Sequence, residues 1–305
     1  MSQQVFAQTT IAVVWDFDKT LIPGYMQAPL FEHYGVDGTE FWAQVNALEA
    51  TYRAGGVARM TTEIHYLNQI LDYIEDGRFA GLDNTLLKNL GAKLEFYPGI
   101  PSLFETLNAE VTANPAFSQH EIQVEHYVVS TGLRQMILGS ALAEHVVDVW
   151  GCELLEEDGR LRKLGYVLDN TSKTRALFEI NKGANKHAEI DVNSAMEASE
   201  RRIPFANMIY LADGPSDVPV FSLLNRNGGH TFGVYRAEDK REYRQIHELQ
   251  QQGRVQGIGP ADYRSGSQTS LWLGTAIEKI GNRIVTERER ALGESVGAPP
   301  RHLSD

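Results

Sequence analysis

The chain has 305 residues, 42% of them apolar and 22% charged, enough for one large domain or two ordinary ones with real cores, and no basis for global disorder. Its 28 basic and 40 acidic residues give a net charge of −12, a field that repels nucleic-acid backbones and anionic membranes and excludes both as default partners. The single cysteine, Cys152, cannot form an internal disulfide; the N-terminus lacks a secretory pattern, and no run approaches the roughly 18 apolar residues of a membrane span, so a soluble cytoplasmic protein is expected.

Residues 11–15, IAVVW, are apolar and β-branched and predict a short buried strand that stops at Asp16. The stretch 24–95 then reads as a helical block without strands. In TEFWAQVNALEATYR, Phe41, Trp42, Val45, Leu48 and Tyr52 share a helical face, with Thr39 able to cap the start. That spacing assigns Phe41, Trp42 and Tyr52 to a local core rather than to a substrate cage. TTEIHYLNQILDYIED repeats the pattern with Ile64, Leu67, Ile70, Leu71 and Ile74, and DNTLLKNLGAKLEF is a third helix capped by Asp83.

A helix follows the Pro-Gly turn in YPGIPSLFETLNAE, and EHYVVSTG is a strand ending on Ser130, Thr131 and Gly132. VVDVWGCELLEEDGRLRKLGYVL reads as strand, hairpin and strand, turning at Asp158-Gly159, with Cys152 a structural residue. Arg134 has two readings, a substrate contact or a helix cap. TSKTRALFEINKG is a helix opened by Thr171 or Ser172, and the polar residues 184–202 read as helical. NMIYLADGPSDVPVF is an apolar strand ending in Asp213, GHTFGVY is another strand, SLWLGTAIEKIGNRIV is an amphipathic helix, and GESVGAPPRHLSD reads as a frayed tail. The nine histidines show no ligand spacing, and His33, His65 and His145 read as ordinary partners of the fold.

Strands alternating with helices predict an α/β fold: a three-layer, doubly wound, Rossmann-like parallel sheet with an α-helical cap domain. The expected division is a discontinuous core at 1–23 and 96–287, a helical cap at 24–95 and a flexible tail at 288–305. Working residues of such sheets gather beyond the carboxyl ends of the strands. Three strands end in polar residues: Asp16 with Asp18, Ser130 with Thr131, and Asp213 with Asp217.

Four aspartates in one crevice repel strongly unless a cation sits among them. Oxygen ligands without clustered Cys or His suit a hard ion such as Mg²⁺, which leaves room for a phosphate oxygen. Lys173 and the Ser130 hydroxyl stand in sequence order to hold that phosphate. An aspartate can attack phosphorus and form an aspartyl-phosphate, and a second acid two residues on can reach the leaving group from a tight turn.

These pieces resemble the haloacid-dehalogenase superfamily. DFDKT resembles its first signature, Asp-x-Asp-x-Thr after the first strand; VVSTG its second; Lys173 in TSKTRAL its third; and LADGPSD its fourth. The match runs from about residue 11 to 235, and the helical block sits where the phosphoserine-phosphatase-like branch inserts a cap. Ala212 departs from the glycine usual in the fourth signature, and residues 184–206 are longer than the expected link, as a lineage-specific insertion would be. The resemblance implies that Asp16 is the nucleophile and a Mg²⁺ ligand. It implies that Asp18 is the general acid and base and ligates the metal through its backbone carbonyl. Thr20 supports the loop; Ser130 and Lys173, with Thr131 beside them, bind the phosphoryl oxygens; Asp213 ligates Mg²⁺; Asp217 ligates it or orients Lys173. The implied activity is Mg²⁺-dependent hydrolysis of a small phosphorylated metabolite. A phosphotransferase or mutase, and a catalytically idle phospho-ligand-binding or regulatory protein, are the alternatives; Asp18 disfavours dehalogenase chemistry, because family dehalogenases lack that second aspartate.

Overall fold

A computed structural model describes residues 6–296. Strand β1 (Thr10–Trp15) is buried along its whole length, the environment in which an unbroken apolar run is stable, because both of its faces are covered. It pairs in parallel with β2 (Gln123–Leu133) on one side and β5 (Met208–Ala212) on the other. With β3 (Asp148–Glu157), β4 (Arg160–Tyr166), β6 (His230–Tyr235) and β7 (Gly257–Pro260), the sheet has seven strands in the order β4-β3-β2-β1-β5-β6-β7. Only the β3–β4 hairpin is antiparallel. Its turn residues Asp158 and Gly159 both have positive φ, 52° and 72°, as a two-residue primed turn requires. The chain leaves β1 in one direction, through β2 to β4, and resumes at β5 on its other side. That reversal opens a crevice at the carboxyl end of β1.

Six helices separate β1 from β2, and the first four form a block of their own: α1 (Ala28–Tyr34), α2 (Gly38–Ala54), α3 (Thr62–Glu75) and α4 (Asn84–Gly91). The covering helices are α5 (Ser102–Ala113), α6 (Pro115–Gln119), α7 (Arg134–Gly139), α8 (Lys173–Lys182), α9 (Val218–Arg226), α10 (Lys240–Gln251) and α11 (Gln268–Val296). Helices α5, α6 and α11 pack together over β1, β2 and β7, while α8 and α9 pack together over β2, β5 and β6. The result is the expected doubly wound α/β architecture. Among the described residues no helix is long and apolar enough to cross a membrane.

The four-helix block packs on the sheet with α3 against β4 and α4 against α7. The second crossing is very close. A Cβ on Gly91 would lie 2.0 Å from the Met136 carbonyl oxygen, and one on Gly139 would lie 1.7 Å from the Lys88 carbonyl oxygen. Only glycine at both positions allows this approach.

Several local expectations are revised. Asp37, not Thr39, caps α2, accepting the Thr39 N–H at 2.7 Å. The buried face of α3 is His65, Tyr66, Leu67, Gln69, Ile70 and Tyr73, and Ile64 is exposed. Ser172 holds the cap position of α8, as expected, but without a side-chain cap bond; the Asp169 carboxylate organises the turn before it by accepting the N–H groups of Thr171 and Ser172. Residues 184–202 form turns and one short 3-10 helix, Ala198–Glu200, instead of an α-helix. That stretch has no apolar stripe to bury, and the Lys182 ammonium pins it through the Val192 and Ser194 carbonyls, both at 2.6 Å. Helix α11 continues past residue 287, the expected end of the core, to Val296; residues 297–305 of the expected tail lie outside the described residues. Elements α1, α6, α10 and β7 had no counterpart in the sequence reading.

Candidate active site

Asp16 directly follows β1, and its N–H donates to the Leu211 carbonyl of β5 at 2.9 Å. The chain then turns sharply. The N–H groups of Thr20, Leu21 and Ile22 converge on the Phe17 carbonyl, and Lys19 adopts φ 58°. The Thr20 hydroxyl donates to Asp16 Oδ2 at 3.0 Å, and the Thr20 carbonyl accepts from Tyr263 Oη at 2.6 Å. Thr20 therefore fixes both the loop and one carboxylate oxygen. Asp18 Oδ1 accepts the Met26 N–H at 2.9 Å.

The other Asp16 oxygen meets Lys173, the first residue of α8. Lys173 Nζ donates to Asp16 Oδ1 at 2.7 Å and to Asp217 Oδ1 at 2.6 Å, with its side chain only 2% exposed. Asp217 also accepts from Tyr210 Oη at 2.6 Å and Ser216 Oγ at 2.9 Å. It stands at the start of α9 but makes no side-chain cap there; its carboxylate is committed to Lys173 and Tyr210. An ammonium has three donors, so Lys173 retains one.

Asp16, Asp213 and Asp217 each offer a carboxylate oxygen, all within 4.8 Å of one another. The Asp18 side chain stands outside this trio. The Asp213 carboxylate accepts no hydrogen bond from the described residues. Burial pushes Asp16 up to about 6; Lys173 works against the rise and Asp217 adds to it. Asp18 is pushed up to about 8, by burial first and then by the charge of Asp16. Asp213 sits well above the usual carboxylate range through burial, Asp16 and Asp217. For Lys173, burial opposes the charge, but Asp16 and Asp217 outweigh it and hold the ammonium above the ordinary lysine value. A divalent cation set among these acids favours their ionised forms. The donor set, oxygen only and with few carboxylates, fits Mg²⁺ and leaves positions for water and a phosphoryl oxygen.

The end of β2 supplies the opposing wall. Its register against β3 shifts between Val129 and Leu133, which frees Ser130, Thr131 and Gly132 from regular pairing. Ser130 Oγ accepts the Gly132 N–H at 3.0 Å and keeps its own proton to donate. The Thr131 carbonyl accepts from Tyr66 Oη of α3 at 2.7 Å and from Cys152 Sγ at 3.2 Å. Cys152 in turn accepts the Leu168 N–H at 3.3 Å, and burial pushes its thiol up; it is structural, as expected. Arg134 Nε donates to the Val149 carbonyl at 2.8 Å, with Glu153 at 3.6 Å. It ties α7 to β3 and does not cap the helix, whose cap position is Leu133; it does not border the cavity described below.

A cavity of about 640 Å³ lies between this edge and the four-helix block. Asp18, Thr131 and Gly132 form one side; Trp42 and Asn46 of α2, with Glu63 and Tyr66 of α3, form the other. Asp16, Ser130, Lys173, Asp213 and Asp217 do not line it. Sequence reasoning missed Gln27, Glu63 and Tyr66, and it assigned Trp42 to a local core although Trp42 borders the cavity. Tyr52 is exposed and stacks on His65. Aromatic spacing signals a helix face; it carries no information on whether that face meets a core or a cavity.

Residues 13–222 match the family described as haloacid dehalogenase-like hydrolase. An uncharacterized protein of Borreliella burgdorferi is 38% identical over 291 residues, covering 90% of this chain and 97% of its own. Among solved structures, a HAD family hydrolase from Salmonella enterica serovar Typhi superposes with a TM-score of 0.51 at 13% identity, over 84% of this chain and 68% of its own. A chain from Vibrio cholerae described as a "probable phosphoserine phosphatase" superposes with a TM-score of 0.52 at 12% identity, over 92% and 69%. At these identities the two structures show a shared fold.

Proposed function

The chain belongs to the haloacid dehalogenase-like hydrolases, and on that premise we propose that it is a phosphomonoester hydrolase with Asp16 as nucleophile and Asp18 as general acid and base. The observation that carries this reading is the buried bridge of Lys173 between Asp16 and Asp217, beside Asp213, at the carboxyl end of β1. A lysine there orients one oxygen of Asp16 and keeps an N–H for a phosphoryl oxygen, while Thr20 holds the other oxygen. The Ser130 hydroxyl, with Thr131 beside it, supplies a second donor. Mg²⁺ held by Asp16 and Asp213, with Asp217 and the Asp18 backbone carbonyl near it, would neutralise phosphoryl charge.

In the first step the Asp16 carboxylate attacks phosphorus, the bond from phosphorus to the leaving oxygen breaks, and the Asp18 proton passes to that oxygen. In the second, Asp18 takes a proton from water, whose oxygen attacks phosphorus; inorganic phosphate leaves and Asp16 is restored. Positioning and electrostatic clamping supply most of the acceleration in such transfers. A cavity of about 640 Å³ bordering Asp18 suits a small phosphorylated metabolite. Asp16→Asn is expected to lower turnover of para-nitrophenyl phosphate by roughly a thousandfold or more while circular dichroism stays unchanged. Full activity in that variant would overturn the proposal, and full activity after thorough EDTA treatment would remove the magnesium role.

A further inference from the structure

The cavity wall facing Asp18 has an unusual composition. Tyr25, Trp42 and Tyr66 form a continuous aromatic surface, with ring centroids 5.6 Å apart for Tyr25 and Trp42 and 5.8 Å apart for Trp42 and Tyr66. The bond from Tyr66 to the Thr131 carbonyl fixes that ring. Glu63 precedes Tyr66 by three residues on α3, so the two share a helix face, and both border the cavity. No described side chain forms an ion pair or hydrogen bond with Glu63. Partial burial pushes its carboxyl up; its own backbone N–H works against the rise and the charge of Asp169 adds to it. Gln27 borders the same cavity with 2% exposure, and its Oε1 has no donor. The lining contains two acids, Asp18 and Glu63, and no Lys, Arg or His. Lys19, stacked on Tyr25 at 4.7 Å, does not border it.

A half-buried carboxylate with no cation beside it is under-compensated, and a buried amide oxygen without a donor is costly. Aromatic faces attract cations, most strongly where water is excluded. A leaving group carrying a carboxylate would face Asp18 and Glu63 with no cation to offset it, and a neutral polyol would hydrogen-bond Glu63 but leave its charge uncompensated and the aromatic faces without a cation. We propose that this wall selects a cationic leaving group: the substrate is the phosphate monoester of an amino alcohol, its ammonium seated against Trp42, Tyr66 and Glu63. The proposal rests on the hydrolase reading above and adds the substrate class to it.

The test compares kcat/KM for phosphocholine and phosphoethanolamine with that for their uncharged carbon isosteres, dimethylbutyl phosphate and propyl phosphate, and with that for phosphoserine. The cationic esters are expected to exceed their isosteres by roughly tenfold or more. Glu63→Gln is expected to bring that ratio close to one, with the melting temperature of the variant confirming its fold. Equal rates for charged and uncharged esters, a preference for phosphoserine, or an unchanged ratio in the variant overturns the proposal while turnover of para-nitrophenyl phosphate keeps the hydrolase reading standing. If no ester is hydrolysed, the hydrolase reading fails by itself. Calorimetric binding of free choline, lost in Glu63→Gln, still upholds the cation site, and absence of choline binding removes it.

Discussion

Glu125 and His126 are neighbours on β2 that point to opposite faces of the sheet, and acid weakens the fold through both. Glu125 accepts from both terminal nitrogens of Arg202 at 2.6 and 2.8 Å, from Lys186 at 2.5 Å and from Tyr127 Oη. Burial opposes its charge, but these donors outweigh it and lower the group from 4.5 to about 2. His126 is held neutral by burial, lowered from 6.5 to about 3. For the histidine, the unfolded chain takes up a proton below pH 6.5 that the folded chain refuses until about pH 3. For the glutamate, stability present above pH 4.5 is lost as pH falls towards 2. Stability is therefore expected to decline in two overlapping windows on acidification. Glu125→Gln should cost about 3 kcal/mol at neutral pH, because it strands buried Arg202, and should flatten the lower window. Urea titrations followed by circular dichroism at several pH values check this; an unchanged slope below pH 4.5 would refute it. Charge assignments of this kind were only partly legible in the sequence. Asp16 and Lys173 could be paired through strand and helix order, but nothing local marks Arg202 as the partner of a residue 77 positions away.

The crossing of α4 over α7 is the clearest constraint between elements. Gly91→Ala places a methyl group against the backbone carbonyl of Met136, which no rotamer change relieves. A loss of about 2 kcal/mol or more is expected, read as a lower urea midpoint. Gly274→Ala is the control: its Cβ would approach nothing closer than Glu110 Oε2 at 3.9 Å, and alanine favours the helix by roughly 0.5–1 kcal/mol. Equal effects at the two sites would refute the close-packing account. Helix existence was legible where a dense apolar stripe ran for three turns, as in α2 and α3, but not in α10, whose buried face is only Ile246 and Leu249 among polar residues. The orientation of the stripe was not. Ile64 belongs to the apolar set of α3 yet is exposed, while Glu63 borders the cavity. Which arc of a helix is covered depends on the neighbours it meets, and α3 meets β4 as well as α2. The short elements β7 and α6 have too few residues to show a period at all.

At the scale of the whole molecule, a net charge of −12 and three converging carboxylates bear on the same equilibrium. A cation that binds the folded chain alone stabilises it by an amount that grows with its concentration, about 2.7 kcal/mol at a hundredfold excess over its dissociation constant. Millimolar MgCl₂ is expected to raise the melting temperature by several degrees, beyond an NaCl control of equal ionic strength. Asp213→Asn should abolish the difference, since Asp213 is the acid of the trio with no hydrogen-bond donor. A rise that persists in this variant would move the cation elsewhere. The sheet order was not readable in full, but its consequence was. Three chain segments as distant as Asp16, Ser130 and Asp213 could be assigned to one edge, because parallel strands of a doubly wound sheet present their carboxyl ends together.

The thiol of Cys152 clasps the same Thr131 carbonyl that Tyr66 of α3 holds. As the only cysteine of the chain, it is a built-in chemical clock. Alkylation requires the thiolate, and the thiol is both buried and raised above its ordinary value. The rate at which a reagent labels the native protein therefore counts the openings of this one joint between block and sheet, without a probe having to be introduced.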